Sequence, residues 1–196
     1  VFTADIEFAG QVVKLNVTDP VITAGVSIKK TGYAQTMNNN IMRWTVSGVR
    51  NDSTTSLQSF YWRDTLPTDA VRLTRLVTGT YSTTQTYKVT FTTNLNSQWR
   101  TAYDNLSTAK NYTLDMSSAA LGLASNEYVT QFMLSFGIVP AGFHQLTNAT
   151  VDAQTLYALT NGYKFTNKAD VGGLLGGNWV QSIARWTTSI YSHYVP

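Results

Sequence analysis

Along most of this chain apolar and polar side chains alternate with a period of two. Of the regular elements, the strand puts successive residues on opposite faces, so this pattern calls for sheets. Asp5-Ile6-Glu7-Phe8 and Val12-Val13-Lys14-Leu15-Asn16-Val17, joined by a turn at Ala9-Gly10, read as a hairpin. Further strands are expected over residues 26–30, 42–47, 57–66, 71–78, 86–92, 128–136, 163–171 and 179–191. They are punctuated by Asp19-Pro20, Thr31-Gly32, Asn38-Asn39-Asn40, Asn51-Asp52-Ser53 and Pro67. Thr accounts for 30 of the 196 residues, with Tyr 11, Phe 8 and Trp 5, a composition suited to a pleated, half-buried surface. Many short strands with frequent turns, and no long helices between them, predict an all-β antiparallel sandwich.

One stretch breaks the pattern. Between residues 98 and 126, Trp99, Tyr103 and Leu106 fall at helical spacing, interrupted by Asn105 and Asn111. Ser117 to Leu123 reads as a short helix or a packed loop, so an irregular or short helical insertion is expected there. Residues 1–25 are either the first strands of the sandwich or the last hairpin of a preceding domain; residues 26–196 form the sandwich itself. The chain begins in mid-pattern without a basic, then apolar, leader, and is read as a piece of a longer protein.

Charge and cysteine usage narrow the function classes. Charged residues make up only 13% of the chain and the net charge is +3. The basic residues are scattered, with Lys29-Lys30 the longest run, which does not make a nucleic-acid footprint. No run of apolar residues is long enough for a membrane-spanning helix. With no cysteine there are no disulfides, thiolate nucleophiles or zinc–thiolate sites. No metal site and no cofactor are expected.

Strand parity picks out three polar residues. Val26, Ile28 and Lys30 share a face, as do Phe60, Trp62, Asp64 and Leu66, and Tyr163, Phe165, Asn167, Ala169 and Val171. Each row carries a single polar side chain: Lys30, Asp64 and Asn167. On this parity Lys29, Lys164, Lys168 and Asp170 face away. Lys and Asp are almost never fully buried unless paired. Desolvation lowers the pKa of a buried lysine and raises that of a buried carboxylic acid. A neutral amine beside a carboxamide, with an acid to hydrogen-bond the amide oxygen and move protons, has a specific use. The amine attacks the amide, ammonia leaves, and an isopeptide bond joins the two strands. Two plainer readings fit the same parity: a buried Lys–Asp ion pair hydrogen-bonded by the Asn, or a Lys30 at a strand end reaching out to solvent.

The segment Tyr61-Trp62-Arg63-Asp64-Thr65-Leu66-Pro67 resembles the D-T-L-P strand end of repeat domains in Gram-positive cell-surface proteins. Those domains open with a Lys-containing strand, as Ile28-Lys29-Lys30-Thr31-Gly32 does, and close with an N-x-A-x-V strand, as Asn167-Lys168-Ala169-Asp170-Val171 does. Asn126-Glu127-Tyr128-Val129-Thr130 ahead of Phe136-Gly137 is also similar to these surface proteins, and the resemblance spans about residues 26–192. It implies an immunoglobulin-like β-sandwich in a wall-anchored adhesin, pilin or stalk at the cell surface. It further implies a Lys30–Asn167 cross-link with Asp64 as the acid. Lys29 is a rival nucleophile and Glu127 a rival acid. No sortase signal is present, as in an excised fragment. The implied partners are neighbouring domains of the same surface protein and a host protein or glycan ligand.

Other chemistry is sparse. His144 and His193 are the only histidines, and no zinc-protease, nucleophile-elbow or phosphate-loop motif occurs. Gly172-Gly173 and Gly176-Gly177, bracketing Leu174-Leu175, read as a hairpin turn. The alternative function is a carbohydrate-binding sandwich using exposed aromatic rings, with Trp99, Trp179, Trp186 and Tyr191 as candidates. The N-x-S/T sites at Asn16, Asn51, Asn105, Asn111 and Asn148 are read as a consequence of Thr-rich composition.

Overall fold

The alternating rows become strands in the computed structural model, which describes residues 4–7, 22–34 and 40–190. In chain order these are β1 (Ala4–Glu7), β2 (Val26–Ala34), β3 (Ile41–Asn51), β4 (Leu57–Thr65), β5 (Val71–Val77), β6 (Thr80–Tyr81) and β7 (Thr86–Thr93). They continue as β8 (Arg100–Ser107), β9 (Thr113–Asp115), β10 (Val129–Val139), β11 (Gln145–Thr147), β12 (Ala149–Thr155), β13 (Lys164–Leu175) and β14 (Asn178–Ser189). A seven-stranded sheet runs β1-β14-β13-β4-β10-β7-β8 and a five-stranded sheet β2-β3-β12-β5-β9, with β11 and β6 as a small third pair. Every strand pairing is antiparallel. The chain is an all-β sandwich. β1 adds to the edge of the large sheet against β14; its expected hairpin partner, Val12 to Val17, lies outside the described residues.

The inward rows of the two sheets make one core. Trp44 of β3 meets Phe165 of β13 edge-on across the layers, and Trp62 of β4 meets Phe132 of β10 within the large sheet. All four are buried. Phe60, Tyr81, Tyr87, Phe136 and Phe143 pack as an aromatic cluster around the start of β4. The Trp62 indole donates to the Tyr81 hydroxyl at 2.9 Å, which in turn donates to the Thr78 carbonyl. Asp64 lies four residues beyond Phe60 on the same inward row, so the polar insertion sits toward the other end of the strand.

The irregular stretch contains no helix. Residues 100–107 form edge strand β8, residues 113–115 form β9, and turns fill the interval to Glu127. The three-residue spacing of Tyr103 and Leu106 comes from a bulge. Asn105 takes a left-handed φ of 53°, and three steps along β8 oppose two along β7 (Tyr103↔Val89, Leu106↔Tyr87). The inserted residue shifts the alternation by one, which in sequence imitates a helical period. β12 carried no expectation, although Ala149, Val151 and Ala153 alternate with Thr150, Asp152 and Gln154; two of the three inward residues are alanines, so its apolar row is weak.

At the β13–β14 hairpin Gly176 and Gly177, with φ of 56° and 80°, form the two-residue turn that only left-handed residues close well. Gly172 and Gly173 belong to β13 itself; a Cβ on Gly172 would stand 2.8 Å from the Tyr61 ring.

Candidate functional site

Lys30 lies on the inward row of β2, after Val26 and Ile28, and Lys29 is exposed on the outer face with its stem beside Gly48. A bulge precedes this point: the register shifts between Ser27 and Lys29, and Gly48 of β3 has a φ of 64°. On the opposing sheet, Asp64 of β4 sits directly across from Ala169 of β13, which places Asn167 diagonally beside it on the same face. Asn167 is itself opposite Trp186 of β14.

The three side chains meet between the layers. Lys30 Nζ donates to Asp64 Oδ2 at 2.6 Å, and neither side chain has any exposed surface. Asn167 Nδ2 donates to Asp64 Oδ1 at 2.7 Å and to the Thr65 carbonyl at 3.1 Å. Asn167 is fully buried, and its Oδ1 has no hydrogen-bond partner among the described residues. One carboxyl group thus bridges the amine and the carboxamide. Sequence reasoning set the acid against the amide oxygen; the structure sets it against the amide nitrogen.

The surroundings are apolar. The Lys30 ammonium lies 5.8 Å from the centre of the Trp44 ring. Gly32, two residues on in the same row, admits that ring: a Cβ there would be 2.5 Å from Trp44 Cδ1 and 3.0 Å from Trp186 Cδ1. Burial pushes the Lys30 pKa below the ordinary lysine range, outweighing the charge and hydrogen bond of Asp64.

The other candidates lie elsewhere. Glu127 accepts hydrogen bonds from Thr93 and Arg100, both at 2.6 Å, which hold its carboxyl below the usual carboxylate range, and it makes no contact with Lys30. Trp186 is 7% exposed and packs beside Gly32, so it is a wall of the core and not a free platform. Its parity with Ala184 on β14 turns it inward. Trp99 and Trp179 are exposed at 38% and 48%, and Tyr191 lies outside the described residues.

Two further buried carboxylates carried no expectation as paired groups. Asp170 lies on the outer face of the large sheet, as parity predicts, yet is only 3% exposed. Arg63 forks onto it at 2.9 and 2.7 Å, and the Tyr61 hydroxyl donates at 2.9 Å. Asp152 of β12 receives Arg43 and Arg75. In both cases residues on adjacent strands stand directly opposite, Asp170↔Arg63, Asp152↔Arg43 and Asp152↔Arg75, a relation no single-strand pattern contains. No group of three or more metal-ligating side chains occurs among the described residues. No protein-family model matches the chain, and no curated protein matches it, so the functional reading rests on the site itself.

Proposed function

We propose that this chain is a structural and adhesive domain of a Gram-positive cell-surface protein, whose two sheets are tied by an isopeptide bond between Lys30 and Asn167. The observation that carries the reading is the fully buried contact of an amine, a carboxyl and a carboxamide. A buried ion pair needs no carboxamide with an unpartnered oxygen, which costs about 1–3 kcal/mol of lost hydration.

The chemistry follows from the contacts. Lys30 gives a proton to Asp64 Oδ2 across 2.6 Å, and the neutral Nζ attacks Cγ of Asn167. Charge develops on the Asn167 oxygen. The Asp64 carboxylic acid turns to present the proton it took at Oδ2 to Nδ2, which its Oδ1 already touches, and the nitrogen leaves as ammonia when the Cγ–Nδ2 bond breaks. The Nζ–Cγ amide forms, the second amine proton passes to Asp64, and no cofactor is needed. An amide is a poor electrophile in water; holding amine and amide on one buried carboxyl offsets this through an effective molarity worth roughly 7–11 kcal/mol at most. The domain acts once, on itself, and is not an enzyme toward other molecules.

If chain entropy acts here as it does for disulfides, closing residues 30 to 167 stabilises the fold by roughly 5 kcal/mol. The bond resists reductants. It links a strand near the beginning of the sandwich to one near its end, so tension applied between them bypasses the intervening core. That suits a load-bearing element joined to neighbouring domains of a surface protein.

Intact-mass measurement of the folded protein, with peptide mapping, tests this. The expected mass is one ammonia below that of the sequence, with a branched peptide joining Lys30 and Asn167. Asp64→Asn should restore the full mass. A full mass in folded wild-type protein reduces the site to a buried ion pair.

A further inference from the structure

The outer face of the large sheet holds a cleft of about 730 Å³, on the side away from Lys30, Asp64 and Asn167. We propose that it is a binding site for an uncharged oligosaccharide, a role independent of the cross-link.

The floor is aromatic and rigid. Tyr61 of β4 lies against Gly172 of β13, where any side chain would collide with the ring. Its hydroxyl donates to Asp170 and accepts from Gln181 Nε2 at 2.9 Å, so the ring cannot swing out. Trp179 packs edge-on against Tyr61, with centroids 5.8 Å apart, and leaves about half its surface open. A half-exposed indole braced edge-on by a fixed tyrosine ring is a platform for the apolar C–H face of a pyranose ring, with part of its conformational cost met in folding.

The walls are polar and, taken together, neutral. Ser59, Asn105 and Ser135 line them, beside Gln181. Arg63 is committed to Asp170, which leaves one cation, Lys88, and one anion, Asp104. Hydroxyls and amides at the rim, with no net charge, match the hydroxyl edge of a neutral sugar. An apolar helix seated here would strand these groups without partners. An added peptide strand needs a sheet edge, whereas this cleft is on a sheet face.

The backbone around the cleft is strained. Three non-glycine residues among the described ones have a left-handed φ, and two of them, Ser59 at 50° and Asn105 at 53°, line this cleft. Gly137, at 72°, is a third lining position with positive φ. Register shifts in β10 and in the β7–β8 pair fall on the same walls. Bulges and left-handed residues re-aim side chains and collect at ligand sites.

The test is a titration of the wild-type protein with N-acetyllactosamine, chitotriose, cellotriose and maltotriose, with sialyllactose as the charged comparator. Saturation-transfer NMR and tryptophan fluorescence are the readouts. Saturable binding of at least one neutral sugar is expected. Trp179→Ala should weaken it about tenfold, the loss expected when one stacked ring is removed. Trp99→Ala should leave it unchanged, and an unaltered denaturation midpoint shows that each variant is folded. The proposal is overturned if no neutral sugar saturates at millimolar concentration, if Trp179→Ala binds as tightly as wild type, or if only the sialylated sugar binds. None of these outcomes bears on the Lys30–Asn167 bond, which is read by mass.

Discussion

Asp64 and Asp152 are both buried carboxylates paired with cations, and their partners make them opposites. Asp152 is held by two guanidinium groups whose side chains are 32% and 49% exposed. Burial pushes its carboxyl up, but the hydrogen bonds from Arg43 and Arg75 outweigh that and hold it below the usual carboxylate range. Charge is retained because the arginine heads reach water. Asp64 has a lysine with no exposed surface and an uncharged carboxamide in place of a second cation. There the cation is the strained member, and its proton has one place to go. A fork of arginines makes a carboxylate a structural anchor, whereas a dry lysine and an amide suit it to the proton transfers of the proposed reaction. Arginine could not serve in the second role, since it does not give up its proton.

The sharpest way to break this contrast is to remove the cation from the inner site. Lys30→Ala should lose the cross-link, roughly 5 kcal/mol, and leave the Asp64 carboxyl buried without its cation. Its denaturation midpoint should fall below that of Asn167→Ala, which loses the bond but keeps the Lys30–Asp64 pair, and both should show the full sequence mass. A Lys30→Ala protein as stable as wild type ends the comparison. Asp152→Asn comes next. It should cost about 1–3 kcal/mol by urea denaturation, yet the mass should still lack one ammonia, because this pair has no part in the chemistry.

The two sites should also respond to pH in opposite senses. Asp152 has a depressed folded pKa, so its stabilisation is fully present above the ordinary Asp value near 3.9 and disappears as pH falls through the folded value. Urea midpoints taken at successively lower pH should show this loss, and Asp152→Asn should lack that part of it. Lys30 has a lowered folded pKa, so its unfolded form binds the extra proton. In uncross-linked Asn167→Ala, stability should therefore rise with pH from the depressed value up to about 10.4, the ordinary lysine value. Wild type, with the amine consumed, should show no such rise; an identical rise in both would contradict the bond. The smallest effect belongs to Lys29→Ala. This exposed neighbour should change stability by less than about 0.5 kcal/mol and leave the mass one ammonia light. If Lys29→Ala restores the full mass instead, the nucleophile is assigned one residue out of place.

The sequence alone determined which side of its strand each polar residue takes. Alternation is a local property with a period of two, and Lys30, Asp64 and Asn167 each stand alone in an apolar row whatever lies opposite. Where the local period was broken, as at Asn105, the reading failed. Where burial depends on a neighbour, as for Asp170 under Arg63, the row did not contain the answer. Only the tertiary structure decided that three inward rows from two sheets converge on one carboxyl, because strand order and facing register come from packing between segments far apart in the chain. Parity sets Trp179 and Trp186 on opposite faces of β14; only the packing of one sheet on the other made the Trp186 face the core and left Trp179 half exposed.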